Sequence, residues 1–264
     1  MKILFKDEPL SIMKAALYAE FTGCEALAAR TFTPGLFNEP LVEADDLDSQ
    51  ELLIKLRLSK KKPELWGSPH HLTALEGLIG WVLRHKNPKR YELIFKAIKL
   101  TFENSILKVT NGSLAEGKVL RKMAEEVQAE VRLSGHQVKL AVVPHAEAAL
   151  YTRYKLEHNT ADLVLQLWAK VYPEYMFVFF LPDKTIVGNR YGFEEWDPYY
   201  GSLALLHRRI APALILNKPH RSRLASQHAR FVSNTRNLPA ELPCIPTVNY
   251  VDFYNRIKKG AELI

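Results

Sequence analysis

The sequence predicts an α+β protein with a helical N-terminal half, a small mostly antiparallel sheet, and a basic helical C-terminal part. Three observations predict it. Apolar residues recur at helical spacing through most of the chain before Gly135. After Gly135, short runs rich in β-branched and aromatic residues replace that pattern, in the order strand–strand–helix–strand–strand. From residue 198 onward the chain turns strongly cationic while keeping helical periodicity.

The elements follow in order. KILF (2–5) predicts an opening strand, and LSIMKAALYAEF (10–21) a helix. TPG (33–35) predicts a turn. LVEADDLDSQELLIKLRL then leads into a helix that Asp46, Asp48 or Ser49 can cap. HLTALEGLIGWVLRH (71–85) is an apolar helix, and NPKRYELIFKAIKLTF places Asn87 at a cap and Pro88 at the first helical position. SLAE (113–116) has capping-box spacing and opens a long helix. Beyond Gly135, VKLAVV (138–143) and ALYTRY (149–154) read as paired strands, and EHNTADLVLQLWAKV (157–171) as an amphipathic helix. YMFVFF (175–180) and TIVGNRYG (185–192) read as a hairpin across PDK. SLALLHRRIAPALIL, HRSRLASQHARFV and NYVDFYNRIKKGAEL (249–263) are helical again. The expected organisation is a helical lobe over 1–134, a sheet lobe over 135–195 and a basic segment over 196–264, packed as one continuous fold.

The 264 residues are 47% hydrophobic and 25% charged, a globular composition. Cys24 and Cys244 have no cysteine neighbour at metal-binding spacing, so neither a disulfide framework nor a zinc ribbon is expected, and a reducing cytoplasm fits. MKILFKDEP puts charges where a signal peptide needs an apolar core. The longest apolar run, 175–181, is far too short to span a bilayer, so no membrane is expected. No GxxxxGK[ST] loop, GxGxxG or CxxxCxxC run is present, and no cofactor or metal is expected.

Charge is the most informative feature. No Asp or Glu occurs between Asp197 and Glu241, whereas Arg208, Arg209, Lys218, Arg221, Arg223, Arg230 and Arg236 do, and these seven equal the whole formal charge of +7. A charge excess this concentrated makes the field that attracts a polyanion. On a helix beginning near Arg221, residues 223 and 230 are seven apart and share a face, which lets them reach consecutive phosphates. The alternative is the solvated face of a helix packed through Leu224, Phe231 and Val232. Tyr191, Phe193, Trp196, Tyr199 and Tyr200 crowd just before this zone, as base-stacking rings or as core.

Three residues are candidates for catalysis. Glu157 and His158 at a strand-to-helix junction supply a carboxylate and an imidazole for acid–base chemistry, with Tyr151 and Lys139 as possible neighbours. The same junction also reads as ordinary capping, with Asn159 satisfying the free amides of the helix. Asp183, beside Lys184, is either a weak echo of a nuclease motif or simply a turn. His70 and His71 are adjacent and so point apart, unlike metal ligands at i and i+4, and Ser68 with Pro69 explains them as a helix start. Arg132 and His136 suit a helix C-terminus.

Four stretches also resemble a family. They are KILFKDEPLSIMKAALYAEF; VEADDLDSQELLIKLRLS; VLRKMAEEVQAEVRLSGHQVKL with LYTRYKLEHNTADLV and PEYMFVFFLPDK; and HRRIAPALILNKPHRSRLASQHARFV. Over residues 2–235 the chain resembles a domain-of-unknown-function family of probable DNA metabolism proteins, found beside radical-SAM proteins or fused to uracil-DNA glycosylases. Glu130, Lys139, Leu150, Tyr151, Glu157, His158, Asn159 and Asp183 fall at that family's spacing. The chain departs from it at Arg132-Leu133, near Leu205-Leu206 and at 228–232. The resemblance implies DNA metabolism without fixing a reaction.

The expected function is DNA binding in repair or modification, with the basic segment on the phosphate backbone. One alternative is a glycosylase-like or nuclease-like enzyme using Glu157, His158 and Asp183. The other is an adaptor for a radical-SAM or uracil-DNA glycosylase partner.

Overall fold

A computed structural model of the chain describes residues 1–32, 40–58, 69–137, 140–143, 149–173, 175–190 and 192–203, with 205, 206 and 208. The chain divides into two compact units, and the division falls between Val127 and Gln128.

Unit 1 is built on a parallel sheet. Strand β1 (Lys2–Phe5) runs into helix α1 (Pro9–Thr22), and Gly23 ends that helix with φ 67, its N–H bonded to Ala19 O at 2.8 Å. A left-handed residue there satisfies a terminal carbonyl at no Cβ cost. Strands β2 (Glu25–Ala28) and β3 (Leu41–Glu43) then pair on either side of β1, both parallel, giving the order β2-β1-β3. The opening strand and first helix match expectation. β2 and β3 are additions that alternation did not reveal, because EALA and LVE are too short and too weakly β-prone.

Helices α2 (Ser49–Leu58), α3 (Pro69–Leu83), α4 (Arg90–Glu103) and α5 (Ile106–Thr110) follow. Asp48 is the residue that caps α2, accepting from Gln50 N–H at 2.8 Å. α4 begins at Arg90 rather than Pro88, because Asn87 closes a turn of its own: its Oδ1 accepts from Lys89 N–H and its carbonyl from Arg90 N–H. Helix α6 (Ala115–Gln137) begins without the expected capping box, since the Ser113 hydroxyl turns back to donate to Asn111 Oδ1 at 2.7 Å. It also continues through Gly135, where a change of pattern was expected. The unit 1 core is aliphatic, with Ile3, Ile12, Leu75, Ile79, Ile94, Ile98 and Leu120 fully buried. Each such side chain contributes about 1.5–3 kcal/mol.

Unit 2 carries a five-stranded sheet in the order β4-β5-β6-β7-β8, made of β4 (Ala141–Val142), β5 (Ala149–Arg153), β6 (Met176–Phe180), β7 (Thr185–Asn189) and β8 (Gly192–Trp196). All pairings are antiparallel except β5–β6, which helix α7 (Ala161–Val171) joins as a crossover. The expected sheet is therefore present, extended by β8. Alternation sends Leu150, Phe177, Phe179 and Ile186 to the face packed on α7 with Trp168, Val164 and Leu165. Ala149, Met176, Val178 and Val187 point to the opposite face, where Leu206 meets them.

The turn at 33–35, Ser68, Cys244 and the helices expected beyond Arg208 lie outside the described residues.

Candidate functional site

The expected catalytic residues lie at one end of the unit 2 sheet. Because β5 and β6 are parallel, in register from Ala149↔Met176 to Arg153↔Phe180, both chains leave the sheet at the same end. Segment 154–160 follows β5 and carries Glu157 and His158, while the 181–184 turn follows β6 and carries Asp183. Glu157 and Asp183 are exposed and His158 is half-buried.

The group organising this end is Glu130, on the C-terminal half of α6. Its carboxylate accepts from the backbone N–H of Glu157 at 2.5 Å, from the N–H of His158 at 3.1 and 3.2 Å, and from the Thr160 hydroxyl at 2.5 Å. Charge-assisted bonds of this kind are about twice as strong as neutral ones. Thr160, fully buried, occupies the N-cap position of α7, and its hydroxyl is spent on Glu130 instead of on the helix amides. Glu130, Glu157 and His158, three of the residues behind the family resemblance, are thereby in direct contact.

The second face of the same sheet carries a row of rings. Tyr151 meets Phe180 edge-on at 6.0 Å, Phe180 stacks with Tyr199 at 6.0 Å, and the Arg153 guanidinium lies 5.4 Å from the Phe180 ring. Tyr199 is fixed by its N–H bond to Thr185 Oγ1 at 3.1 Å and by its hydroxyl bond to Ser202 O at 2.9 Å. Of the aromatics expected to crowd this region, Phe193 packs on the α7 face, Trp196 joins the row's cluster, and Tyr200 is 89% exposed. Arg208 is exposed. Lys139, Tyr191, Arg209, Lys218, Arg221, Arg223, Arg230 and Arg236 lie outside the described residues.

Protein-family profiles and curated proteins give no match to the chain.

Unit 1 holds a groove of about 800 Å³ that the sequence did not suggest. Ala16, Ala19, Ala26, Ala28, Phe95 and Phe102 give it an apolar lining, and Arg30, Lys86, Arg90, Lys96 and Lys99 outnumber Glu20 and Glu92 around it. At one end, Asp7 accepts from the Tyr91 hydroxyl at 2.6 Å and pairs with Arg30 at 2.9 Å. The Arg30 and Arg90 guanidinium carbons lie 5.2 and 4.6 Å from the Tyr91 ring centre. Burial, then the bond to Asp7, push the Tyr91 phenol up to about 12, against the pull of the two arginines. Tyr91 is therefore a neutral donor and not a base. Nearby, Lys6 pairs with Asp45 at 2.6 Å, and Lys6 and Ser11 hold that carboxyl below its ordinary value. Lys6, Asp7, Arg30 and Asp45 all follow the carboxyl ends of β1, β2 and β3, where open parallel sheets place ligands. The available signal was the KDE triplet directly after an opening strand.

Among the described residues, no group of three or more His, Cys, Asp or Glu side chains is arranged to hold a metal ion.

Proposed function

We propose that the protein binds nucleic acid, as part of DNA repair or modification, through the cationic segment that begins at residue 198. One observation carries this reading: seven fixed positive charges and no carboxylate occur between Asp197 and Glu241. Neutralising phosphates with such groups releases condensed counterions and supplies most non-specific affinity. Two further facts support it. The segment departs from Tyr199, which is stacked in a row with Phe180 and Tyr151 beside Arg153, and the adjoining Tyr200 ring is exposed for stacking on an unpaired base. The resemblance to the DNA metabolism family points the same way.

A salt titration on generic DNA tests the proposal. The logarithm of the affinity falls by about 0.9 per phosphate contact for each tenfold rise in salt. The combined variant Arg221→Ala, Arg223→Ala and Arg230→Ala lowers both affinity and slope. A flat salt response, or unchanged binding by that variant, rejects the proposal.

The second reading, an enzyme acting on nucleic acid through Glu157, His158 and Asp183, is favoured by one observation: both loops leave the carboxyl ends of the parallel β5–β6 pair. Incubation with uracil-containing and damaged DNA tests it. Absence of product, or full activity in His158→Ala, rejects this reading.

A further inference from the structure

We infer that the unit 1 groove is a binding site for a mononucleotide, its base against the alanine-lined wall and its phosphate at the Arg30–Arg90 end. The concavity has a compositional cause. β1 presents Ile3 and Phe5 to the helices and fills the space beneath them, but the paired positions on β2 are Ala26 and Ala28. α1 faces the groove with Ala16 and Ala19, so neither wall fills it. Phe95 and Phe102 add flat apolar surface. About 800 Å³ lies within the usual range for small-molecule sites.

The cations explain the charge of the ligand. Five cations line the groove against Glu20 and Glu92. Glu92 pairs with Lys96 at 2.7 Å, and Asp7 pairs with Arg30 at 2.9 Å as a third carboxylate at that end, so the groove keeps an excess of two positive charges. Arg30, Lys86 and Arg90 gather around the start of α4, where the helix dipole adds partial positive charge. Arg90 donates through Nη1 to Asn87 O and through Nη2 to the Tyr91 hydroxyl, which leaves its buried Nε without a partner. The turn bearing Lys86 is itself held in place. Buried His85 accepts from Asn87 N–H at Nδ1, which assigns the ring proton to Nε2, 2.9 Å from Glu126 Oε2. An apolar slot ending in a guanidinium pair suits a flat ring that carries a phosphate. It suits neither component alone.

This inference uses none of the cations after residue 198, so it stands apart from the proposed DNA contact. The test is calorimetric titration of the full chain with deoxyadenosine monophosphate, deoxyadenosine and inorganic phosphate. The monophosphate is expected to bind saturably, and each of the other two at least about tenfold more weakly. Arg30→Gln with Lys86→Gln, both at exposed positions, is expected to weaken the monophosphate about tenfold. Ala19→Phe fills the groove and abolishes binding. The Arg221→Ala, Arg223→Ala, Arg230→Ala variant keeps monophosphate binding whatever becomes of its DNA binding. No saturable binding of the monophosphate, equal binding of nucleoside or phosphate, or unchanged binding in Arg30→Gln/Lys86→Gln overturns the inference.

Discussion

Glu130 holds His158 by its backbone: the carboxylate on α6 accepts from the His158 N–H at 3.1 Å while also taking the Glu157 N–H and the Thr160 hydroxyl. A single anion thus fixes the segment that leads into α7. Glu130→Ala leaves those donors to find water, and Thr160 is fully buried. The expected cost is about 2 kcal/mol of unit 2 stability, with Glu130→Gln intermediate because one acceptor oxygen survives. Denaturant titration measures the cost, and hydrogen exchange should show it concentrated at the amides of 157 and 158.

Tyr91 sets an alkaline limit on unit 1. Its phenol is pushed up to about 12 in the folded chain from an ordinary value of 10.0. Between those values the unfolded chain releases the proton and the folded chain keeps it, so stability is intact below about pH 10 and falls as pH rises toward 12. Tyr91 is partly exposed, and solvent screening reduces the loss to about 1 kcal/mol. Ultraviolet titration should show one late-ionising phenol that Tyr91→Phe removes, along with that part of the alkaline slope.

Legibility followed periodicity. α1 and α3 show in the sequence because LSIMKAALYAEF and HLTALEGLIGWVLRH repeat the helical period over a full element, and the β6–β7 hairpin because MFVFF and TIVGN are short runs rich in aromatic and β-branched residues on either side of a turn. β2 and β3 offer three or four residues each, too few for any period, and their pairing is a tertiary fact set by β1 lying between them. Local cap patterns do not show which other partner a side chain finds. Ser113 bonds Asn111, and Thr160 bonds Glu130 from 30 residues away. The groove was hidden for a related reason: its signature is missing bulk at Ala16, Ala19, Ala26 and Ala28, and absent bulk leaves no motif.

Gly117 and Gly188 are packing positions. A Cβ on Gly117 would run into the Val109 carbonyl of α5, and one on Gly188 would lie 2.7 Å from both Gly192 O and Phe193 Cβ and 2.9 Å from Leu165. In a helix alanine normally gains about 1 kcal/mol over glycine. Here the clash is with backbone, which cannot swing away, so Gly117→Ala and Gly188→Ala are both expected to lower stability by about 1–3 kcal/mol. A neutral or stabilising result in thermal unfolding would mean that α5 or β8 can shift without loss.

Thr185 ties the segment after β8 to the sheet. Fully buried in β7, it accepts the Tyr199 N–H through Oγ1 at 3.1 Å, and Tyr199 in turn stacks on Phe180. Thr185→Val keeps the side-chain shape and β-propensity but removes the acceptor, at an expected cost of about 1 kcal/mol. The effect on the proposed nucleic-acid binding separates two roles. Phosphate contacts are counted by the salt slope, and the variant leaves every cation in the chain, so the slope should not change. Affinity at fixed salt should drop modestly, because the start of the cationic segment loses its anchor and more ordering is needed on binding. A changed slope would place Tyr199 within the set of groups that fix phosphate contacts, whereas unchanged affinity would show that the aromatic row and the cationic segment act independently.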